Sequence, residues 1–387
     1  MEYKKINELT AVVTGGTPST RKNEYWDNGD IPWLQSGCCQ NCDVDSTEKY
    51  ITKEGYNNSS THMMPADTVM IALTGATAGK VGYLKFEACG NQSITGILPC
   101  ESLNQRYLFF YLLSQREKIL ADCVGGAQAH ISQSYVKNMT IPILAIKEQE
   151  QIVGELTKLS NIVSLRQEEI QQLDALIKAR FVELFGDENN SKNWDVVNIE
   201  EVADVQVGVV IKPSQYYTDK SEGVRTFRSL NIGAGFIKDN DWVYFTKEGH
   251  QKNSKSILKK DDLLIVRSGA PGTACVVTEE YAGCNAVDII IAHPDCKKVN
   301  PYYLCTITNM PHGKKQIDEG IGGAAQQHFN VGKYNKLQLM LPPKTLQDEF
   351  AGFIKQVDKS KFDTMTLAPI YAIINLYLYT YFYQGKR

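Results

Sequence analysis

The chain carries one pattern twice. Ile6, Leu9, Val12 and Gly15 recur as Ile199, Val202, Val205 and Gly208, displaced by 193 residues. The run Met70-Ile71-Ala72-Leu73-Thr74-Gly75-Ala76 returns as Leu264-Ile265-Val266-Arg267-Ser268-Gly269-Ala270, displaced by 194. Gly125-Gly126-Ala127 returns as Gly322-Gly323-Ala324, displaced by 197, and His130, Gln149 and Ile152 return as His328, Gln347 and Phe350, displaced by 198. An offset drifting by only five residues implies two copies of one domain-plus-helix unit. The period is too long for a solenoid and suits a pseudo-symmetric dimer within one chain. Such a chain offers two similar surfaces, and duplex DNA is the obvious ligand with two similar sites in a row.

Charge qualifies that expectation. The net charge of the 387 residues is -3, and Ile146 to Glu188 alone carries five Lys/Arg against nine Asp/Glu, a net of -4. The remainder is therefore -3 - (-4) = +1, near neutral and not basic. Strong sequence-independent affinity for DNA is not expected, so a partner would supply much of the phosphate contact. The ten cysteines are scattered without framework spacing, and no apolar signal segment follows Met1, so reduced thiols and a cytoplasmic protein are expected.

Each copy reads as a mixed α/β domain. In the first, residues 14–19 are a loop and residues 27–30 a turn, and residues 68–73 and 80–86 are strands around a Gly75–Gly79 loop. Residues 105–120 have helical spacing. Residues 263–267, 274–278 and 300–307 hold the matching places in the second copy. Between the copies, Ile152, Leu156, Leu159, Val163, Arg166, Ile170, Leu173, Ile177, Arg180 and Leu184 step by 4,3,4,3 without a slip. That is a heptad seam, and Ile146–Phe185 predicts a helical rod of roughly 60 Å ended by Gly186.

A second seam runs through Leu346, Phe350, Phe353, Val357, Ser360, Thr364, Leu367, Tyr371, Ile374, Leu378 and Tyr381. Two long helices with matching seams most economically form an antiparallel coiled coil that holds two globular domains apart. Its predicted seam residues are Leu156, Leu159, Val163, Ile170, Leu173 and Ile177 against Phe350, Phe353, Val357, Tyr371 and Ile374. The expected organisation is a domain over 1–144, a helix over 145–189, a second domain over 190–343 and a second helix over 344–387. Pro369 predicts a kink or break in the last helix. Residues 364–385 contain no charge, long enough to span a bilayer, but five tyrosines, Asn375, Pro369 and the heptad register favour helix packing or a partner surface.

Motifs for catalysis are weak. Gly75-Ala76-Thr77-Ala78-Gly79-Lys80-Val81 is one residue short of a phosphate-binding loop, and Val81 stands where a magnesium-holding Ser or Thr belongs. A tight turn, with backbone amides available to a DNA phosphate, is the better reading. Cys39-Gln40-Asn41-Cys42 has zinc spacing but no second ligand pair, which favours reduced loop cysteines. Asn300-Pro301-Tyr302-Tyr303 superficially resembles the Asn-Pro-Pro-Tyr signature of amino-methyltransferases, without its second proline or a glycine-rich cofactor loop upstream. Pro294-Asp295-Cys296-Lys297 lacks the spacing of a nuclease centre. His130 and His328, each beside glutamine, suit either a hydrogen-bonded turn or contact with DNA.

Gly15-Gly16-Thr17-Pro18-Ser19 followed by Tyr25-Trp26-Asp27-Asn28-Gly29-Asp30-Ile31-Pro32-Trp33 resembles the opening of a target-recognition domain in specificity (S) subunits of Type I restriction-modification systems. Residues 125–131, Ile141-Pro142-Ile143 and Glu148-Gln149-Glu150-Gln151-Ile152 resemble that family's passage into its first conserved helix. Residues 322–329, Leu341-Pro342-Pro343 and Leu346-Gln347 resemble the same junction in a second copy. The tyrosine-rich, proline-containing tail departs from the charged helix expected there.

The resemblance implies that each domain reads one half of a bipartite duplex target and that the coiled coil sets the gap, about one helical turn or ~34 Å. It implies two methyltransferase subunits carrying S-adenosylmethionine and flipping out adenines, and motor-nuclease subunits with ATP and magnesium where restriction occurs. The chain itself would bind no cofactor or metal, catalyse nothing and enter no membrane. Expected DNA-contacting residues are polar ones in matched loops: Thr17, Ser19, Arg21, Gln35, Thr74, Lys80 and Gln128 in the first copy. Lys212, Ser214, Arg228, Asn231, Arg267, Ser268 and Gln327 are the set in the second. The copies differ here (Leu73 against Arg267, Gln35 against Arg228), as domains reading different half-sites must. The rival expectation is a coiled-coil scaffold or tail-anchored adaptor that binds no DNA.

Overall fold

A computed structural model describes residues 2–123, 130–321, 329–365, 374, 376–378 and 381. It divides into two compact units, one of residues 1–167 with 365–387 and the other of residues 168–364. Each unit thus takes one half of the helix Ile146–Phe185, whose ends are those read from the heptads.

In the first unit, five strands lie in the order Val12–Thr14, Ile94–Ile97, Val69–Ala72, Val81–Leu84, Cys42–Val44. All pairings are antiparallel except the last. Val69, Met70, Ile71 and Ala72 are all fully buried, so this central strand is apolar on both faces and not alternating. A small second sheet pairs Ile31–Leu34 antiparallel with Tyr50–Ile51 and parallel with Cys89–Gly90. Glu2–Lys5 pairs with Thr140–Ile143, which brings the chain back to its own start just before the long helix.

The second unit repeats the core of this plan and adds the strand Tyr217–Thr218, paired with Val243–Phe245, to its small sheet. Ala203–Val207, Ile289–Pro294, Leu263–Val266 and Ala274–Val276 form its main sheet, and Val224–Phe227 pairs parallel with Asn285–Ala286 in the small one. Val196–Asn198 closes on Gln338–Met340. The edges differ. Among the described residues, only the first unit has the parallel edge strand Cys42–Val44, clasped by Arg106, which bonds Asp43 at 2.5 and 2.6 Å and stacks 3.6 Å from the Tyr83 ring centre. Tyr302 stands where a second such arginine would be needed, and there Gly235 makes a single backbone bond to Ala274 instead.

The helices from 105 onward are one element in the sequence reading and two in the structure, Gln105–Ser114 and Arg116–Ala121. Pro301–Asn309 and Pro311–Ile321 are their counterparts. Each pair starts on an asparagine, Asn104 or Asn300, whose side chain accepts from the first-turn amides. That cap accounts for the Asn300-Pro301-Tyr302-Tyr303 motif: Tyr303 is buried, with its hydroxyl donating to Met340 O, as Tyr107 donates to Pro142 O.

The long helices bury their seams within each unit. In the first, Ile152 and Leu156 are fully buried in one core with Ile374 and Leu378, Leu159 packs beside them, and Val163 is nearly buried. Residues 376–378 are helical, and the Tyr377 hydroxyl hydrogen-bonds Glu155. In the second, Ile170 and Leu173 are half-buried, and Ile177 packs on a core containing Phe350 and Ile354, with Phe353 alongside and Val357 buried. The ion pairs Asp174–Lys361 and Arg180–Glu349 run in opposite sequence order, so this pair of helices is antiparallel.

One seam reading needs correction. Toward the end of the helix the deepest side chains are Phe181 and Phe185, one position beyond the heptad members Arg180 and Leu184. A straight helix drifts about 20° per heptad, and here it turns two phenylalanines into a ring cluster with Tyr303 and Phe350 at centre distances of 4.7–5.6 Å. Tyr371 and Pro369 lie outside the described residues. Among the described residues no helix is long and apolar enough to cross a membrane.

Candidate nucleic-acid interface

The exposed loops at one end of each main sheet are held in place by backbone contacts that recur in both copies. In the first, Gly15 and Gly16 run against the turn after Cys89–Gly90, with Gly16 N donating to Gly90 O at 2.8 Å. A Cβ on Gly15 would sit 2.1 Å from the Gly90 oxygen, so only glycine fits. Trp33 then donates its indole N–H to Gly16 O at 3.0 Å, and Trp26 donates to Ser19 O at 3.1 Å. These bonds fix the loop that carries Thr17 and Ser19. Asn91 N bonds Leu34 O, Leu73 N bonds Ser93 O, and Thr74 bridges to His130.

The turn at residues 91–93 therefore gathers the loops bearing Thr17, Gln35, Thr74 and His130. Thr17 donates to Gln92 at 2.5 Å, Gln35 is exposed, and Lys80 reaches across to Gln40 at 2.6 Å. Ser19 and Arg21 are exposed at the outer end of the same loop. Gln40 and Gln92 are not in the sequence-derived set, yet they are the partners of two members. The repeat could have pointed to Gln92, because the turn that contains it joins the same two strands in both copies.

The Gly75–Gly79 loop joins two antiparallel strands through a short 3₁₀ turn. A phosphate-binding loop needs a helix N-terminus there, so the geometry agrees with the turn reading. Cys39 is fully buried while Cys42 is exposed on the edge strand. Hydrogen bonding with Cys38 and burial hold the Cys39 thiol well above the usual range. Among the described residues, no group of three His, Cys, Asp or Glu side chains is placed to hold a metal ion.

In the second copy Gly208, with an added Cβ 2.3 Å from Ala286 O, repeats the close approach of Gly15. Lys212, at φ 43, and Ser214 are exposed on the following loop. Arg228 follows the strand Val224–Phe227 as Gln35 follows its own, and its guanidinium donates to Asp241 O. Arg267 is less free than the sequence suggests. Its side chain is 17% exposed, pairs with Asp288 at 2.5 Å and donates to Phe329 O at 3.3 Å. Ser268 lies half-buried beside it.

Asn231 is corrected outright. It is fully buried, accepts from Arg228 N at 2.8 Å and donates to Asn240 O at 2.6 Å, so it shapes the loop and presents nothing outward. Gln128, Gln327 and His328 lie outside the described residues. Sequence reasoning passed over Val210, Ile211 and Leu230, exposed by 48, 80 and 60% beside these polar positions, because it looked only for polar groups.

Comparison with known proteins agrees with the duplicated plan. Residues 1–175 and 191–370 match the Type I restriction modification DNA specificity domain. The chain is similar to the Type I restriction enzyme EcoR124I/EcoR124II specificity subunit of Escherichia coli, 33% identical over 169 residues, or 42% of each chain. It is also similar to the MjaIX specificity subunit of Methanocaldococcus jannaschii, 21% identical over 92% of this chain and 86% of that one. The fold resembles the crystal structure of a Type I restriction-modification S subunit from M. genitalium, with a TM-score of 0.53 and 15% identity over 97% of this chain and 93% of the other. With two copies of the domain matched across most of its length, the chain belongs to the Type I restriction-modification DNA specificity family.

Proposed function

We propose that this chain gives a Type I restriction-modification complex its address by reading a bipartite duplex target, one half-site per copy, while catalysing nothing itself. The observation that carries this reading is the repeated frame with unrepeated rims. The same glycine contacts and strand pairings hold both loop clusters, yet exposed Thr17 is matched by Val210 and exposed Gln35 by Arg228. Domains that share a frame and differ where they are exposed are suited to two different sequences. The helix Ile146–Phe185 belongs to both units and would set the gap between half-sites.

Two methyltransferase subunits would clamp the duplex against this chain and supply most phosphate contacts, consistent with a net charge of only -3. They would carry S-adenosylmethionine and flip out the target adenine. Motor-nuclease subunits, where present, would bring ATP and magnesium. Such a complex works on cellular DNA, so the chain would act in the cytoplasm.

The test is affinity purification of the tagged full-length chain from its native cells, followed by assay of methyl transfer from S-adenosylmethionine to duplex DNA. The proposal expects a co-purifying methyltransferase with adenine-specific activity. A chain that comes down alone, with neither methylation nor DNA binding, would overturn it in favour of a scaffold.

A further inference from the structure

The strand registers align the two loop clusters residue by residue. Trp33 and Leu34 pair with Cys89 and Gly90, as Thr226 and Phe227 pair with Asn285 and Ala286. Gly16 N donates to Gly90 O as Val209 N donates to Ala286 O. Thr17 is therefore matched by Val210, and Pro18 by Ile211. The 3₁₀ turns Ser36–Cys38 and Ser229–Asn231 also coincide, which matches Gly37 with Leu230.

At these positions the chemistry reverses. Thr17 is an exposed hydroxyl bonded to Gln92, Pro18 is buried, and Gly37 has open space where a side chain would begin. Their counterparts Val210, Ile211 and Leu230 are aliphatic and 48, 80 and 60% exposed. The backbone holds them there. Val209 bridges Val287, Asp288 N donates to Val209 O at 3.1 Å, and Val287 N donates to Phe227 O at 2.9 Å. The segments that carry Ile211 and Leu230 thus leave from one fixed turn, and Lys212, next to Ile211, is set in the left-handed region at φ 43.

Lys212 follows Ile211 directly and Arg228 lies two residues before Leu230, which suits a polyanion that also presents apolar patches. The major groove of DNA has one apolar group, the 5-methyl of thymine. We propose that the second copy reads thymine methyl groups through Val210, Ile211 and Leu230, whereas the first copy reads its half-site by hydrogen bonds alone from this loop cluster. The inference rests on the specificity reading above and names the base chemistry that one half of it uses.

The test uses the intact complex with its methyltransferase subunits and the duplex target found by sequencing methylated DNA. Thymine is replaced by deoxyuridine in one half-site at a time, which removes only the methyl group. One half-site should lose affinity about fourfold per contacted methyl, the fold-change of ~0.8 kcal/mol per buried carbon. That penalty should vanish in a chain carrying Val210→Ser, Ile211→Ser and Leu230→Ser, and persist in a Thr17→Val control. Thermal melting of both variants verifies that they fold.

A target without thymine in either half-site, indifference to deoxyuridine, or a penalty that survives the triple substitution would each overturn the proposal. Loss of methyltransferase co-purification in the triple variant, with no deoxyuridine effect in the parent, would assign the aliphatic rim to a protein partner instead. A complex that binds and methylates no duplex at all would sink the specificity reading, which is a different failure.

Discussion

Gln149 and Gln347 do the same work in the two copies. Each is fully buried in the first turns of a long helix and accepts from the backbone N–H of the asparagine cap, Asn104 or Asn300, at 2.8 Å. Each donates to the chain just before its helix, Leu144 O at 2.9 Å or Pro342 O at 2.8 Å, and more distantly to Ser102 O or Lys298 O. Gln35 and Arg228 are matched just as closely by register, yet one is an exposed amide and the other is tied to Asp241. Buried polar groups must be satisfied wherever the frame is built, so duplication preserves them. Exposed loop residues answer to a ligand, and two half-sites need not agree.

The sharpest way to break the comparison is to change what joins the copies and leave both intact. Deleting one heptad, residues 170–176, should abolish methylation of the original target and create a new one with the same half-sites and a different gap, read by sequencing methylated DNA. An unchanged gap would show that the helix is no ruler.

Next come the shared close contacts. Gly15→Val and Gly208→Val should each cost about 3 kcal/mol or more, because the added side chain meets a carbonyl oxygen and the backbone must move. Denaturant unfolding should show similar losses for the two, and a large loss in only one would mean the frames are not equivalent. Gln149→Leu and Gln347→Leu should each cost roughly 2–4 kcal/mol by stranding a buried N–H and carbonyl groups. Hydrogen exchange should locate each loss in its own unit.

The smallest effect is expected where the copies differ. Arg267→Leu, which installs the residue found at Leu73, should destabilise by about 1 kcal/mol, since its ion-pair partner Asp288 is 41% exposed. A loss above 3 kcal/mol in unfolding experiments would make Arg267 part of the frame and not of the rim.

Much of the frame was legible in the sequence because burial leaves periodic traces. The drift of the repeat, the 4,3 stepping and the ends of Ile146–Phe185 all follow from packing rules that act along the chain. The shift from Leu184 to Phe185 was not legible, since it depends on how far a straight helix drifts against a globular core. The edge strand Cys42–Val44 was hidden for a similar reason. It rests on Arg106, 63 residues away, and no local pattern announces such a clasp.

The candidate interface was legible in part. The loops of Thr17, Gln35 and Thr74 do come together at the turn of residues 91–93, because the repeat marked them. Asn231 misled because a buried cap and a surface reader are the same residue type. Val210, Ile211 and Leu230 were missed because exposed aliphatic residues look like core until their register is known.

The central claim is that one frame carries two unlike reading surfaces. It is tested most directly by sequencing every methylated site made by the intact complex. The account predicts two half-sites of different sequence, separated by a fixed stretch of unread base pairs. Two identical half-sites, or one unbroken motif, would contradict it.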